Sequence, residues 1–288
     1  MEVKDNKIEL NYTLKLKDKL WKIDSPKIMG IINVTPDSFF SNSRNTHFEQ
    51  SKRNIEQMIN QKVDIIDVGG ISTRPGANLL DSETELNRVL PVIEWISTNY
   101  PEQIISVDTF RSEIAQHAIH TGAHIVNDVY GGRYDKNMFE TVGKLGVPYI
   151  LMHSRGDSTN MQNLTNYSSL ISDMTVEISE TVQKLNENNV YDIIIDPGFG
   201  FAKTLNQNYK LLKELSHFQL FNLPILAGLS RKSMIYKLLN SQPEDALTGT
   251  SVLNYIALEK GAAILRVHDV KEAKEVKILY QKMSEVDL

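Results

Sequence analysis

The stretch Asp64–Ala77, DIIDVGGISTRPGA, decides how this chain folds. Ile65 and Ile66 are branched, as suits a strand covered on both faces. Asp67 places a carboxylate where that strand should stop, and Gly69 and Gly70 let the backbone turn sharply or pass close to a ligand. Ser72, Thr73 and Arg74 follow, fixed by Pro75 and Gly76. Read alone, the stretch is equally a wall of a site or an ordinary turn after a parallel strand, because loop composition is only a correlate of function. The choice turns on whether the chain repeats the arrangement.

It does. Upstream, KIMGIINV (Lys27–Val34) is an apolar run ending at Asn33. Downstream, QIISV leads into Asp108, HIVNDV carries Asn127 and Asp128, and VPYILMH ends at His153. YDIIID ends at Asp196, LPILAGL runs into Ser230, Arg231 and Lys232, and AAILRVHD carries Arg266, His268 and Asp269. Between these runs lie segments of helical periodicity, at about His47–Gln61, Ser82–Thr98, Glu113–His120, Asp135–Leu145, Tyr167–Asn188, Asn206–Leu215, Met234–Leu239 and Ala246–Lys260. A last one covers Val270–Met283. The start at Ser82-Glu83-Thr84-Glu85 has capping and N-terminal acidic character. Residues 7–25 alternate apolar and polar around Lys17–Lys19 and predict a short hairpin lying over one end of the domain.

Strands alternating with helices imply parallel pairing through right-handed crossovers. Eight such units over ~250 residues fit an α/β fold of the closed (β/α)8 TIM barrel type, with an open doubly wound sheet as the other arrangement that periodicity allows. No Gly-, Ser- or Pro-rich linker divides the chain, so one domain over residues 1–288 is expected.

In such a barrel the site lies at the C-terminal ends of the strands. Those ends read Asn33, Asp67, Asp108, Asn127, His153, Asp196, Lys232 and Arg266, with His268 beyond, a nearly complete polar ring. Asp108, Asn127 and Asp196 suit a flat heterocycle that presents ring N–H and amino donors. Arg74, Arg266, His268 and Asn33 suit a phosphorylated group, and Lys232 lies between the two halves. Spacing for an all-protein metal cage is missing, so a magnesium ion shared with substrate phosphates fits better, with Asn33 as a candidate ligand. His117, His120 and His124 read as surface or packing residues. Phe39 and Phe201 sit in loops beside the ring and suit stacking on an aromatic substrate as well as they suit core.

Composition narrows the classes. The 288 residues are 41% hydrophobic, enough for a full core. A net charge of −5 gives no global reason to expect nucleic acid or an anionic membrane as partner. With no cysteine, disulfides, a thiol nucleophile and cysteine-ligated metals are excluded, which fits a reducing compartment. MEVKDNKIEL lacks an apolar signal core and no window approaches the ~18 apolar residues of a membrane span, so a cytoplasmic protein is expected.

The stretches MGIINVTPDSF (Met29–Phe39), DVGGISTRPGA (Asp67–Ala77), SVDTF (Ser106–Phe110), NDVYGG (Asn127–Gly132), LMHSRG (Leu151–Gly156), DPGFGFAK (Asp196–Lys203), GLSRKSMI (Gly228–Ile235) and RVHDV (Arg266–Val270) occur in one order. In this the chain resembles the dihydropteroate synthases of the pterin-binding barrel family. The resemblance implies condensation of 6-hydroxymethyl-7,8-dihydropterin pyrophosphate with 4-aminobenzoate to 7,8-dihydropteroate and pyrophosphate. Carried over by motif, it puts the pterin against Asp108, Asn127, Met152, Asp196 and Lys232. It puts the pyrophosphate against Asn33, Thr73, Arg266 and His268 with Mg2+, and the aminobenzoate among Phe39, Arg74, Pro75, Phe201, Lys232 and Ser233. It further implies catalytic work for Asp108, Asp196, Lys232 and Arg266, and a homodimer built through the late helices. The other functions the sequence allows are a methyltetrahydrofolate-type methyltransferase and a non-catalytic pterin-binding homologue. Three positions depart from the family pattern: the first loop reads Phe40-Ser41-Asn42-Ser43 in place of an acid and two glycines, Ile71 stands where glutamate is common, and Ser154 where methionine is usual.

Overall fold

The computed structural model describes residues 10–34, 44–71, 81–157 and 159–286. Two antiparallel strands, β1 (Tyr12–Leu16) and β2 (Lys19–Ile23), pair from Tyr12↔Ile23 to Leu16↔Lys19 around the turn at Lys17 and Asp18. Lys17 takes the left-handed conformation that a two-residue hairpin turn demands. Eight further strands follow: β3 (Lys27–Asn33), β4 (Ile65–Gly69), β5 (Ile104–Asp108), β6 (Ile125–Asp128), β7 (Tyr149–Met152), β8 (Ile193–Asp196), β9 (Ile225–Ala227) and β10 (Ala262–Val267). They are all parallel, and they close into a barrel because β10 pairs with β3 as well as with β9. Closure settles the choice between barrel and open sheet.

The helices are α1 (Arg44–Asn60), α2 (Ser82–Asn99), α3 (Ser112–Thr121), α4 (Met138–Leu145), α5 (Leu170–Glu187), α6 (Leu205–Lys213), α7 (Ser233–Tyr236), α8 (Leu247–Glu259) and α9 (Val270–Glu285). They pack outside the barrel on the outward-facing strand residues, Ile66, Val68, Val107, Val126 and Leu265 among them. Several helix starts differ from the sequence reading, α1 beginning at Arg44 rather than His47 and α4 at Met138 rather than Asp135. The cap of α2 is Asp81, whose carboxylate accepts from Thr84 N at 2.8 Å, and Glu85 turns inward instead of capping. The segment predicted from Tyr167 begins at Leu170; Tyr167 lies ahead of it, and its hydroxyl donates to Ala202 O in the loop after β8.

Alternation along the strands builds the barrel interior in layers. Met29, Ile65, Ile125, Ile150, Ile194, Leu226 and Ile264 form an apolar floor, closed from below by Leu14, Leu16 and Ile23 of the hairpin. The hairpin therefore seals the N-terminal end of the barrel, as expected, and each of those three side chains contributes ~1.5–3 kcal/mol by leaving water. Two residues further along β4, β5, β6, β7, β8 and β10, on the same inward side, stand Asp67, Ser106, Asn127, Met152, Asp196 and Arg266. The apolar floor thus gives way to a polar layer within one side-chain repeat.

Candidate active site

Arg266 is the centre of that layer. Its Nε donates to Asp67 Oδ2 at 2.7 Å and its Nη2 to Asp108 Oδ2 at 2.6 Å. Asp67 Oδ2 also accepts from Asn127 Nδ2 at 3.1 Å. One guanidinium thus serves two buried carboxyl groups. Burial drives the Asp108 carboxyl up to about 7; Arg266 opposes this, and Asp67 beside it adds to it. Burial alone would depress the Arg266 guanidinium, but Asp67 and Asp108 hold it above its ordinary value. Asp67 fixes both the arginine and the amide of Asn127, a role the sequence reading did not give it.

Asp196 and Lys232 form the opposite wall. Asp196 Oδ1 accepts from Gly198 N at 2.7 Å, an Asx turn that aims the loop after β8. Gly198 is at φ +72, and a Cβ there would lie 1.9 Å from His153 O, so only glycine fits. Lys232 Nζ donates to Phe199 O and lies 4.8 Å from the centroid of the Phe201 ring. Burial lowers the Lys232 ammonium to about 8, with Asp196 holding it up. Burial raises the Asp196 carboxyl, and Lys232 opposes that. Gly228 leaves the floor between them open: a Cβ there would meet Asp196 Oδ2 and Lys232 Nζ, each at 3.9 Å.

Above the polar layer, Met152, Phe110, Tyr130 and Ile71 form an apolar cluster with Phe201 packed against it. Ile71 is therefore core. Met152 and Phe201 supply flat and soft surface beside the carboxylates, the mixture that binds an aromatic heterocycle.

His268 is exposed at the end of β10. Ser230 Oγ accepts from His268 N at 3.2 Å and lies 3.0 Å from His268 Nδ1. Arg231 turns away from the site: its Nε and Nη2 clamp Asp269 at 2.9 and 2.8 Å, and its Nη1 donates to Glu244 O at 3.0 Å. Asn33 is exposed at the end of β3, next to Gly69. Ser233 opens α7 directly after Lys232. Phe39, Thr73, Arg74 and Pro75, and the loop Phe40-Ser41-Asn42-Ser43, lie outside the described residues. Of the three histidines set aside, His117 and His120 face solvent on α3, and His124 Nδ1 accepts from Ile105 N.

The geometry gathers Asp67, Asp108, Asn127, Asp196, Lys232 and Arg266 at one mouth of a parallel barrel, beside Met152 and Phe201. Such a mouth holds a small, planar, donor-rich ligand next to a charged partner. The chain matches the model of the pterin binding enzyme family over residues 29–268, and it belongs to that family. It is 41% identical over 255 residues to the dihydropteroate synthase of Escherichia coli, covering 88% of this chain and 90% of that one. It is 42% identical over 257 residues to a folic acid synthesis protein of Pneumocystis carinii, where the match covers 86% of this chain but 35% of the longer relative. Among solved structures, a Yersinia pestis dihydropteroate synthase in complex with a sulfonamide drug superposes with a TM-score of 0.90 at 35% identity. That superposition covers 96% of this chain and 100% of the other.

Proposed function

We propose that this chain is a transferase of folate biosynthesis, a dihydropteroate synthase. It condenses 6-hydroxymethyl-7,8-dihydropterin pyrophosphate with 4-aminobenzoate, giving 7,8-dihydropteroate and pyrophosphate. The observation that carries this is the Arg266-centred polar layer facing Asp196 and Lys232 beneath an apolar cluster, in a chain so similar to enzymes of that name.

The pterin lies flat against Met152, its ring N–H and amino donors facing Asp108, Asp196 and the carboxamide oxygen of Asn127. Lys232 donates to its acceptors. The carbon–oxygen bond to pyrophosphate breaks with its electron pair leaving on oxygen. The methylene carbon becomes cationic, and the electron-rich dihydropterin spreads that charge. Asp108 and Asp196 stabilise the cation electrostatically in a site that excludes water. Arg266, His268 and Asn33 face the departing pyrophosphate, and the family motif assigns Thr73 to it as well. Arg266 keeps Nη1 outside its two carboxylate pairs for that purpose. The aryl amine, neutral at pH 7 and placed by Phe39, Arg74, Pro75, Phe201, Lys232 and Ser233, attacks the carbon and then sheds a proton. Positioning supplies what a protein nucleophile would otherwise have to.

The donor set fits magnesium carried by the substrate. The described residues hold no group of three or more His, Asp or Glu able to cage a metal. A single hard oxygen such as Asn33 Oδ1, added to phosphate oxygens and water, is the arrangement magnesium favours. When bound, the ion neutralises charge on the leaving pyrophosphate.

We further assign the protein to the cytoplasm as a homodimer. The chain has no cysteine to be oxidised, and no helix among the described residues is long and apolar enough to cross a membrane. Val252 of α8 and Ile278, Leu279 and Met283 of α9 are exposed, on two helices joined by the Tyr255–Tyr280 ring contact. Such apolar exposure on neighbouring helices suits a self-association surface, and sedimentation at the mass of two chains is the expected result. The function itself is tested by incubating the purified chain with both substrates and magnesium and separating the products. Dihydropteroate is expected, and its absence would refute the assignment.

A further inference from the structure

The loop between β8 and α6 hides an ammonium that the chemistry above does not use. Lys203 is 5% exposed. Its Nζ donates to Gly198 O and to Phe201 O, both at 3.0 Å, and lies 3.3 Å from His153 Nδ1. An ammonium has three N–H donors, and here each has an acceptor. His153 Nδ1 must then be unprotonated, so Nε2 carries the ring proton and donates it to Glu177 Oε2 at 3.0 Å. Burial and Lys203 hold His153 neutral, lowering it to about 4. Arg155 Nε clamps Glu177 at 3.0 Å, and the Arg155 guanidinium lies 3.8 Å over the ring of Tyr167. The Tyr167 hydroxyl donates to Ala202 O at 3.1 Å. Starting from Lys203 and passing through three other segments, the circuit returns to the residue next to it.

Burial lowers the Lys203 ammonium to about 7, with Asp196 holding it up, and keeping it charged there costs several kcal/mol that a loop held only for its shape could avoid with a neutral side chain. The charged groups around Lys203 are Asp196 from β8, Glu177 from α5, Lys232 from the loop after β9 and Arg133 from the loop after β6. Two of the carbonyls at issue bracket the substrate-facing part of the loop. Between them lies Phe199, whose carbonyl receives Lys232, and the second belongs to Phe201, whose ring Lys232 overlies.

We propose that Lys203, oriented by the His153–Glu177–Arg155–Tyr167 circuit, is the positioning residue that sets the Phe201 side of the site for the arylamine substrate. It touches no substrate itself. The proposal rests on the dihydropteroate synthase assignment, and it separates the two substrates. Asp108 and Asn127 stand on strands that Lys203 does not touch, and its hydrogen bonds go to Gly198 O, Phe201 O and His153 rather than to Asp196 or Lys232, whereas the Phe201 wall is bonded to it directly.

The test is steady-state kinetics of Lys203→Met beside the unmodified chain. Loss of a charge-assisted contact of this kind is expected to raise KM for 4-aminobenzoate about tenfold. KM for the dihydropterin pyrophosphate should stay within about twofold. Glu177→Gln, half-buried on α5, keeps the helix and cuts the circuit further out. It should give the same one-sided change at about threefold, and it serves if the buried variant fails to fold. A one-sided rise in either folded variant supports the proposal. Equal rises in both KM values, or none, overturn it. Failure of the unmodified chain to turn over would instead refute the assignment on which the proposal stands.

Discussion

Replacing Asp108 with asparagine should make the protein more stable and less active. The carboxyl is driven up to about 7 in the folded protein, after the attraction of Arg266 has acted on it. An unfolded aspartate titrates near ~3.9. Between these values the folded state binds more protons than the unfolded one, so the stability present at low pH is lost as pH rises through 7. The gap of about three pH units, at ~1.36 kcal/mol each, amounts to about 4 kcal/mol of destabilisation at pH 8. At pH 5 only the first unit has been traversed, and the loss is on the order of 1 kcal/mol. Asparagine resembles the protonated acid and carries none of this cost, while Arg266 keeps Asp67 as its partner. Urea unfolding followed by circular dichroism at pH 5 and pH 8 should therefore show the variant's advantage growing from about 1 to about 4 kcal/mol. Its turnover should fall ~10²–10³-fold, because the same charge meets the cation in the transition state. An asparagine variant no more stable than the parent at pH 8, or an advantage equal at the two pH values, would refute the reasoning.

Other outcomes follow from single contacts. Asp196→Asn should lose ~10²-fold or more in kcat with its circular dichroism unchanged; turnover like the parent's would contradict the role given to Asp196. Ala202 is held at φ +48 in the site loop, so Ala202→Gly should stabilise by about 0.5–1 kcal/mol and raise Tm by about 2 °C in calorimetry. Arg231→Lys gives up the two-pronged grip on Asp269 and the carbonyl of Glu244, and should cost about 1.5–3 kcal/mol in urea unfolding.

Where the amino-acid order alone determined structure, the reading held. Strand ends that turn from branched apolar residues to Asp67, Asp108, Asn127 and Asp196 announced a ring, and period-two alternation puts these side chains on the barrel's inner side. The turn at Lys17–Lys19 announced the hairpin in the same way. What the order did not reveal were partnerships between distant segments. Arg266 lies 199 residues from Asp67, and they meet only because the last strand closes on the first. From the sequence Arg266 looked free to face phosphate, and the structure commits its Nε and Nη2 to two carboxyl groups. Lys203 was part of a quoted motif, yet nothing in DPGFGFAK says that its ammonium is buried. That depends on acceptors from Gly198, Phe201 and His153 converging on one point. Glu85 looked like an N-terminal helix charge. In the fold it is buried and accepts from Thr109 Oγ1 at 2.7 Å and from Arg111.

The central claim is that the ring of strand-end residues ionises a dihydropterin pyrophosphate and hands the cation to an arylamine. The most direct test measures pyrophosphate release from the dihydropterin pyrophosphate with magnesium, with and without 4-aminobenzoate, while quantifying dihydropteroate. The account predicts release that matches dihydropteroate mole for mole when the amine is present. Tight pterin binding without release, or release that never yields dihydropteroate, would contradict it.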